Sequence, residues 1–219
     1  MRRICAVITA RPSYARIKTA LLAMAERPDI DLKIIVGASG LLEKYGRVVD
    51  VIRADGLTVD AEVFMVLDGD APVVNAKTTG IGIVEMSSAL AIMKPDAVVT
   101  IADRFETMAT AVAASYMNIP LIHVQGGEIT GSIDEKVRHA ITKLADIHLT
   151  ASQQARDRVI NLGEDPERVF CTGCPSIDIV REVSDTDNDA NIRSELMAQI
   201  TKGVGAAIDL DAPFIVAMQ

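Results

Sequence analysis

The segment 123–139, His-Val-Gln-Gly-Gly-Glu-Ile-Thr-Gly-Ser-Ile-Asp-Glu-Lys-Val-Arg-His, gathers the densest set of groups in the chain that could do chemistry. Glu128 and Asp134 can accept or return a proton, Arg138 can neutralise an anion, and His123 and His139 add two ionisable imidazoles. Gly126, Gly127 and Gly131 let the backbone take φ > 0 and bring its N–H groups close to a ligand. The apolar run 119–124 just before them reads as a strand. The glycines therefore fall at a strand's carboxyl end, where open α/β sheets bind ligands. Ser132-Ile-Asp-Glu135 reads as a capping box opening a helix, whose free N–H groups favour an anion. Structural readings stand beside these. Ser132 and Glu135 can be caps only, and His123 can be a satisfied core histidine. Asp134 can pair with Arg138 on a helix surface for roughly 0.3–0.5 kcal/mol. None of these accounts for Gly126-Gly127-Glu128.

Two further strand ends carry charge. Arg11 follows the strand 4–8, and Arg104 follows the strand 97–102, directly behind Asp103. Guanidinium forks bind phosphate oxygens in pairs, so two of them facing one crevice could hold a pyrophosphate; either could equally be a solvated surface group. Asp103 at its strand tip can act as acid or base, or cap the next helix. The turn after the first strand, Thr9-Ala-Arg-Pro-Ser-Tyr14, has no GxGxxG, and no Walker A sequence occurs, so dinucleotide and P-loop chemistry are disfavoured. Cys171-Thr-Gly-Cys174 has CxxC spacing without a second pair or a neighbouring histidine, which argues against zinc. No catalytic metal and no cofactor are expected.

The elements that must position these groups alternate. Strands are expected at 4–8, 32–36, 61–66, 97–102, 119–124, 147–150 and 169–172, with helices near 15–26, 41–53, 74–93, 105–116, after the glycines to 145, and from 152 to Gly163. The run 97–102 is apolar throughout, as a strand buried on both faces should be. Repeating β-α units imply an α/β fold, a doubly wound Rossmann-like parallel sheet. The polar stretch 184–190 reads as a linker, followed by a helix near 192–200 and a strand at 213–219. The expected organisation is a domain at 1–183, linker and helix at 184–212, and at 213–219 the first strand of a further, truncated domain.

The 219 residues are 49% apolar, enough for one sizeable core, and the net charge of −8 argues against a nucleic-acid or anionic-membrane surface. No apolar stretch reaches membrane-spanning length, and the odd set of cysteines, Cys5, Cys171 and Cys174, fits a reducing cytoplasm. Cys5, inside the first strand, reads as a small buried hydrophobe.

Asp103-Arg-Phe-Glu106, the segment from His123 to Ala145, and Gly173-Cys-Pro-Ser176 together resemble the UDP-N-acetylglucosamine 2-epimerase family, and more narrowly its hydrolysing branch, which serves sialic and legionaminic acid synthesis. The resemblance implies a GT-B-like fold of two Rossmann-like domains, of which this chain supplies the first, with the second mostly absent. It implies a UDP-sugar substrate, a homo-oligomer (dimer or tetramer), and loss of catalysis in a chain of this length by itself. It implies that Asp103 and Asp134 occupy catalytic positions, with Gln125 and Glu128 assisting. Arg11 and Arg104 then match nucleotide contacts, and His123, Arg138 and His139 fall in matching site positions. Two departures stand out. Many members carry a glutamate where this chain has Gln125, and an amide orients water or a hydroxyl but cannot exchange a proton. Ala15 replaces a serine that relatives can use toward the nucleotide. A non-hydrolysing epimerase, or a module that binds nucleotide sugars without turnover, remain the alternatives.

Overall fold

A computed structural model describes residues 1–69 and 71–186, with side chains described as far as Arg181. Seven strands, β1 (Arg2–Ile8), β2 (Ile30–Gly37), β3 (Ala61–Val63), β4 (Ala97–Ile101), β5 (Leu121–Val124), β6 (Ile147–Thr150) and β7 (Val169–Cys171), form one sheet in the order β3-β2-β1-β4-β5-β6-β7. Every pairing is parallel. The helices are α1 (Arg11–Ala15), α2 (Lys18–Ala25), α3 (Val48–Ala54), α4 (Pro72–Met93), α5 (Phe105–Tyr116), α6 (Ile133–Leu144), α7 (Gln153–Asn161) and α8 (Pro175–Thr186). The order of winding reverses between β1 and β4, so their carboxyl ends flank a crevice. This is the expected doubly wound Rossmann-like layer.

Period-2 alternation sends side chains to two cores. Cys5, Val7, Ile35 and Val98 pack with Met86, Leu90, Ala109, Ala113 and Ile141 of α4, α5 and α6. Ala6, Ile8, Ile34, Val36, Val99 and Ile101 pack on the other face with Tyr14, Leu21, Val48 and Ile52 of α1, α2 and α3. Both faces are covered, which is why β4 is buried at all five of its positions. Gly82 of α4 lies against Met65 and Ala109, where a Cβ would collide, so the missing side chain sets how closely α4 and α5 approach.

One device recurs at the amino ends of the strands. Asp60, Asp96 and Asp146 each immediately precede a strand and clamp the neighbouring one, Asp96 and Asp146 near its start and Asp60 at its middle. Asp146 donates its N–H to the Leu121 carbonyl at 2.8 Å and accepts the Leu121 N–H on its carboxylate at 2.9 Å. Asp60 does the same with Ile34, and Asp96 with Arg3. The carboxylate thus satisfies an edge N–H that the ladder leaves unpaired.

Several boundaries differ from the sequence expectation. The helix expected at 15–26 is broken, because Ile17 leaves helical geometry (φ −139) and becomes buried. The helix expected at 41–53 forms only from Val48, since Gly46 (φ 75) and Arg47 (φ 35) take left-handed conformations and two short 3-10 turns replace its first half. Strand β3 stops at Val63, and β5 begins at Leu121 because Pro120 has no N–H, although its carbonyl accepts from Val98. Ser184–Thr186, expected in a linker, continue α8. The helix expected at 192–200 and the strand at 213–219 lie outside the described residues.

The chain divides into two units, Met1–Ser176 and Ile177–Gln219. The first contains the whole sheet; of the second, the described part is helix α8 from Ile177 onward. Among the described residues, no helix is long and apolar enough to cross a membrane.

The clamp predicts that Asp146→Ala, which strands the N–H of fully buried Leu121, lowers unfolding free energy by about 1–3 kcal/mol. Asp146→Asn, which keeps an acceptor oxygen, should lose less than half of that. Urea denaturation midpoints of the two variants check it.

Candidate active site

The carboxyl ends of β1, β4 and β5 form the floor of a cleft of about 700 Å³. Two of these ends are turned by backbone that ordinary residues rarely adopt. Ala102 has φ 67 and Gln125 has φ 65, so each chain leaves its strand through a left-handed residue that is not glycine. The effect is to aim Asp103 and Gln125 into the crevice. Gly127 follows with φ 82, pressed against the Ala155 carbonyl and Val159, and Arg158 of α7 donates to its carbonyl at 3.0 Å.

The remainder of the loop is held by helix α6. Ser132 caps it by accepting from the Asp134 N–H. Glu135 does not reach back to Ser132; its carboxylate instead accepts the N–H groups of Thr130 at 2.8 Å and Gly131 at 2.7 Å, which together hold its pKa below the usual carboxylate range. Glu135 is therefore a structural residue of the loop. Asp134, one residue earlier, lines the cleft, and no described residue donates a hydrogen bond to its carboxylate.

Arg138, one turn along α6, is 4% exposed. It forms an ion pair with Asp103 and donates to the Glu128 carbonyl at 2.5 Å. The surface pairing with Asp134 expected from the i, i+4 spacing is absent, because Arg138 turns inward to the strand end instead. Burial, and then the nearby charge of Arg16, lower its pKa from the ordinary arginine value.

Of the residues singled out in the sequence, Asp103, Arg104, Gln125, Glu128, Asp134 and Arg138 line this one cleft. Three do not. Arg11 is exposed, with its guanidinium laid over Gly46, whose missing side chain makes room for it. His123 has no exposed surface and bonds the Ala102 carbonyl and the Thr142 hydroxyl, so it can touch no ligand. Desolvation pushes its pKa down to about 4, so it is neutral. His139 is half-buried on α6 with its Nδ1 enclosed and unpartnered. His148, fully buried, bonds Glu164 at 3.3 Å and is structural, and Cys5 is a buried hydrophobe.

Four lining residues carry weight that their spacing did not reveal. Arg16, five residues beyond Arg11, faces the cleft with no carboxylate paired to it among the described residues. The break between α1 and α2 is what turns it there, and a broken helix leaves no periodic signal. Ser13 and Ser176 add hydroxyls, and Cys174 accepts a hydrogen bond from the Gln125 amide at 3.2 Å. Arg104 is partly neutralised by Glu106 at 3.2 Å, whose own acidity is weakened by burial. Among the described residues lining the cleft, Arg16 is thus the cation without a carboxylate partner, and Glu128 and Asp134 carry carboxylates without a cation. Among the described residues no three His, Cys, Asp or Glu side chains come together as a metal site would require.

The sequence profile of the UDP-N-acetylglucosamine 2-epimerase family matches residues 22–207. The chain belongs to that family. A UDP-N,N'-diacetylbacillosamine 2-epimerase (hydrolyzing) of Legionella pneumophila is 33% identical over 86% of this chain and 50% of its own length. The Campylobacter jejuni GDP/UDP-N,N'-diacetylbacillosamine 2-epimerase (hydrolyzing) is 28% identical over 84% of this chain and 48% of its own. The crystal structure of UDP-GlcNAc 2-epimerase from Neisseria meningitidis bound to UDP-GlcNAc superposes with a TM-score of 0.76 at 19% identity, over 90% of this chain and 53% of that one. The likeness at that identity supports the fold. The chain spans about half the length of the curated relatives it matches.

Buried neutral histidines make stability depend on pH in one direction. His123 titrates at about 4 when folded against 6.5 as its ordinary value, so the unfolded chain binds the extra proton first and acid favours unfolding. The stabilisation is complete above pH 6.5 and is lost between 6.5 and 4, up to about 3 kcal/mol for His123. His148 shifts the same way, through burial. Urea midpoints taken across that range should fall with pH, and a flat profile would contradict it.

Proposed function

We propose that this protein is a hydrolysing 2-epimerase of a UDP-linked 2-acetamido sugar. The observation that carries the reading is the placing of Asp103, Asp134, Arg16 and Arg138 around one cleft in a member of this family. The hydrolysing branch is favoured because the Legionella and Campylobacter relatives, both named as hydrolysing, match most of the described fold.

The chemistry follows from what each group can do. A carboxylate takes the C2 proton, the C–H electron pair forms the C1=C2 bond, and the C1–O bond breaks to release UDP. Water then adds hydroxyl at C1 and a proton at the opposite face of C2, giving the free 2-epimer. Asp134, unpaired and at the cleft wall, suits the mobile proton, and Asp103, fixed by Arg138, suits the second transfer. Gln125 orients the water, since an amide can bond it without exchanging a proton. Arg16 and Arg104 meet the pyrophosphate, whose negative charge grows as the C1–O bond breaks. Arg11, turned toward Gly46, has no place in this arrangement. The remaining wall of the site would come from a second Rossmann-like domain, in keeping with the half-length match to the relatives. A nucleotide-sugar substrate and three free thiols both fit a cytoplasmic setting.

The protein is further proposed to be a homo-oligomer through α4. Val73, Ile81, Val84 and Ile92 are exposed along that helix, and their spacing is symmetric about its middle, Val73 mirroring Ile92 and Ile81 mirroring Val84. A two-fold interface needs such self-complementarity. The Ser88 hydroxyl is turned back onto the Val84 carbonyl of its own helix, and Lys77 is the charged residue within this face. Val84→Glu should convert a dimer into monomer in sedimentation equilibrium without changing the circular dichroism spectrum; a wild-type monomer would exclude the interface.

The catalytic reading is tested by proton NMR in deuterated water with UDP-N-acetylglucosamine, then with its 2,4-diacetamido analogue, using the protein at its native length. Stoichiometric UDP and a free 2-epimer deuterated at C2 are expected. Asp103→Asn and Asp134→Asn should each lower turnover by about 10²–10⁴-fold. Sugar returned still linked to UDP would show the non-hydrolysing reaction, and UDP binding without exchange at C2 would show a binding module.

A further inference from the structure

The residues beneath the cleft close on themselves. Asp103 is ion-paired with the Arg138 guanidinium. The Arg138 backbone carbonyl lies 3.0 Å from the Thr142 hydroxyl. That hydroxyl lies 3.2 Å from His123 Nδ1, and His123 Nε2 lies 2.9 Å from the carbonyl of Ala102, the residue before Asp103. A carbonyl can only accept, so Nε2 carries the ring proton and Nδ1 is an acceptor; the single Thr142 hydroxyl proton is shared between Nδ1 and the Arg138 carbonyl, pointing to one at a time. Asp103 and Arg138 are thus joined directly by their side chains and, through Ala102, His123 and Thr142, by a second chain of contacts.

Three observations give the closure a purpose. First, Ala102 holds φ 67, a left-handed conformation that disfavours a residue with a Cβ, and its carbonyl is the one His123 grips. Second, no part of His123 or Thr142 is exposed, so neither contacts a ligand. Third, Gly126 seals the closure from above: a Cβ there would stand 3.0 Å from both His123 Nδ1 and Thr142 Oγ1. The loop bearing Gln125 therefore rests on the same ring that fixes Asp103.

We propose that His123 and Thr142 are positioning residues, which lock the left-handed turn at Ala102 and so hold Asp103 and Arg138 in the orientation the cleft requires. The role in turnover rests on the hydrolysing-epimerase reading above; the mechanical role does not. Thr142 supplies the link between strand β5 and helix α6, and its hydroxyl is the removable part. A valine there keeps the shape and volume of threonine and deletes only that hydroxyl, whereas a serine keeps the hydroxyl and deletes a methyl.

The test uses nitrogen-15 NMR of the protein without ligand. The Arg138 guanidinium N–H protons should be resolved and slow to exchange in wild type and in Thr142→Ser, and should exchange at least tenfold faster in Thr142→Val. His123→Gln is the second variant, expected to behave as Thr142→Val. In the turnover assay Thr142→Val should lose at least tenfold in kcat with KM within twofold, and Thr142→Ser should stay within twofold in both. Unchanged Arg138 exchange in Thr142→Val would overturn the proposal whatever the turnover. Accelerated exchange with kcat unchanged would overturn the claim that the turn matters to the reaction. A wild-type protein inactive toward every UDP-sugar would refute the functional reading alone, since exchange is measured without substrate.

Discussion

A guanidinium withdrawn from water must be met by opposite charge and by acceptors for its remaining protons, or the fold pays several kcal/mol. Arg138 is such a group, and its two partners come from different strands' ends. Asp103 supplies the charge from the end of β4, and Glu128 supplies a carbonyl from the loop after β5. Helix α6, which carries Arg138 and packs Ile141 into the core, is held to the strand ends by both. The position of Asp134 at the cleft wall, the path of the glycine loop and the direction of the Asp103 side chain therefore depend on one buried cation.

That constraint explains why strain is tolerated where it is. Ala102 and Gln125 take left-handed conformations that glycine would accept more readily, yet neither is glycine. Each is held by partners its neighbours provide: His123 bonds the Ala102 carbonyl, and the Gln125 N–H reaches the Leu149 carbonyl of β6 at 2.8 Å. Strained backbone that persists because its surroundings over-determine it is commonly found at ligand sites. Here both examples lie on the floor of the cleft, at the switch in winding order where such sheets bind ligands.

Charge is distributed in the cleft so that some groups are committed and others free. Arg138 and Asp103 neutralise each other, and Arg104 leans on Glu106. Among the described residues, Arg16 and the carboxylates of Glu128 and Asp134 have no such counterpart. A cleft in which some charges are paired and others are free can take in an anion and a proton without dismantling itself. The acidic balance of the chain as a whole says nothing of this, because the decisive cations are local.

The sequence by itself determined the layer and the neighbourhood of the site. Strict alternation of apolar strands and helical stripes allows little except a parallel sheet covered on both faces, and glycines at a strand's end mark a place where backbone approaches a ligand. Asp103, Arg104, Gln125, Glu128, Asp134 and Arg138 were legible for that reason. Tertiary structure decided the rest. Whether a histidine faces a cleft or a core depends on strand register, and His123, paired in register with Thr100 and covered by α6, is sealed inside. Whether Arg11 or Arg16 reaches the cleft depends on a helix break that buries Ile17, and whether Asp134 or Asp103 takes Arg138 depends on which way a side chain turns. Those choices are made by contacts between residues far apart in the chain, which no local pattern records.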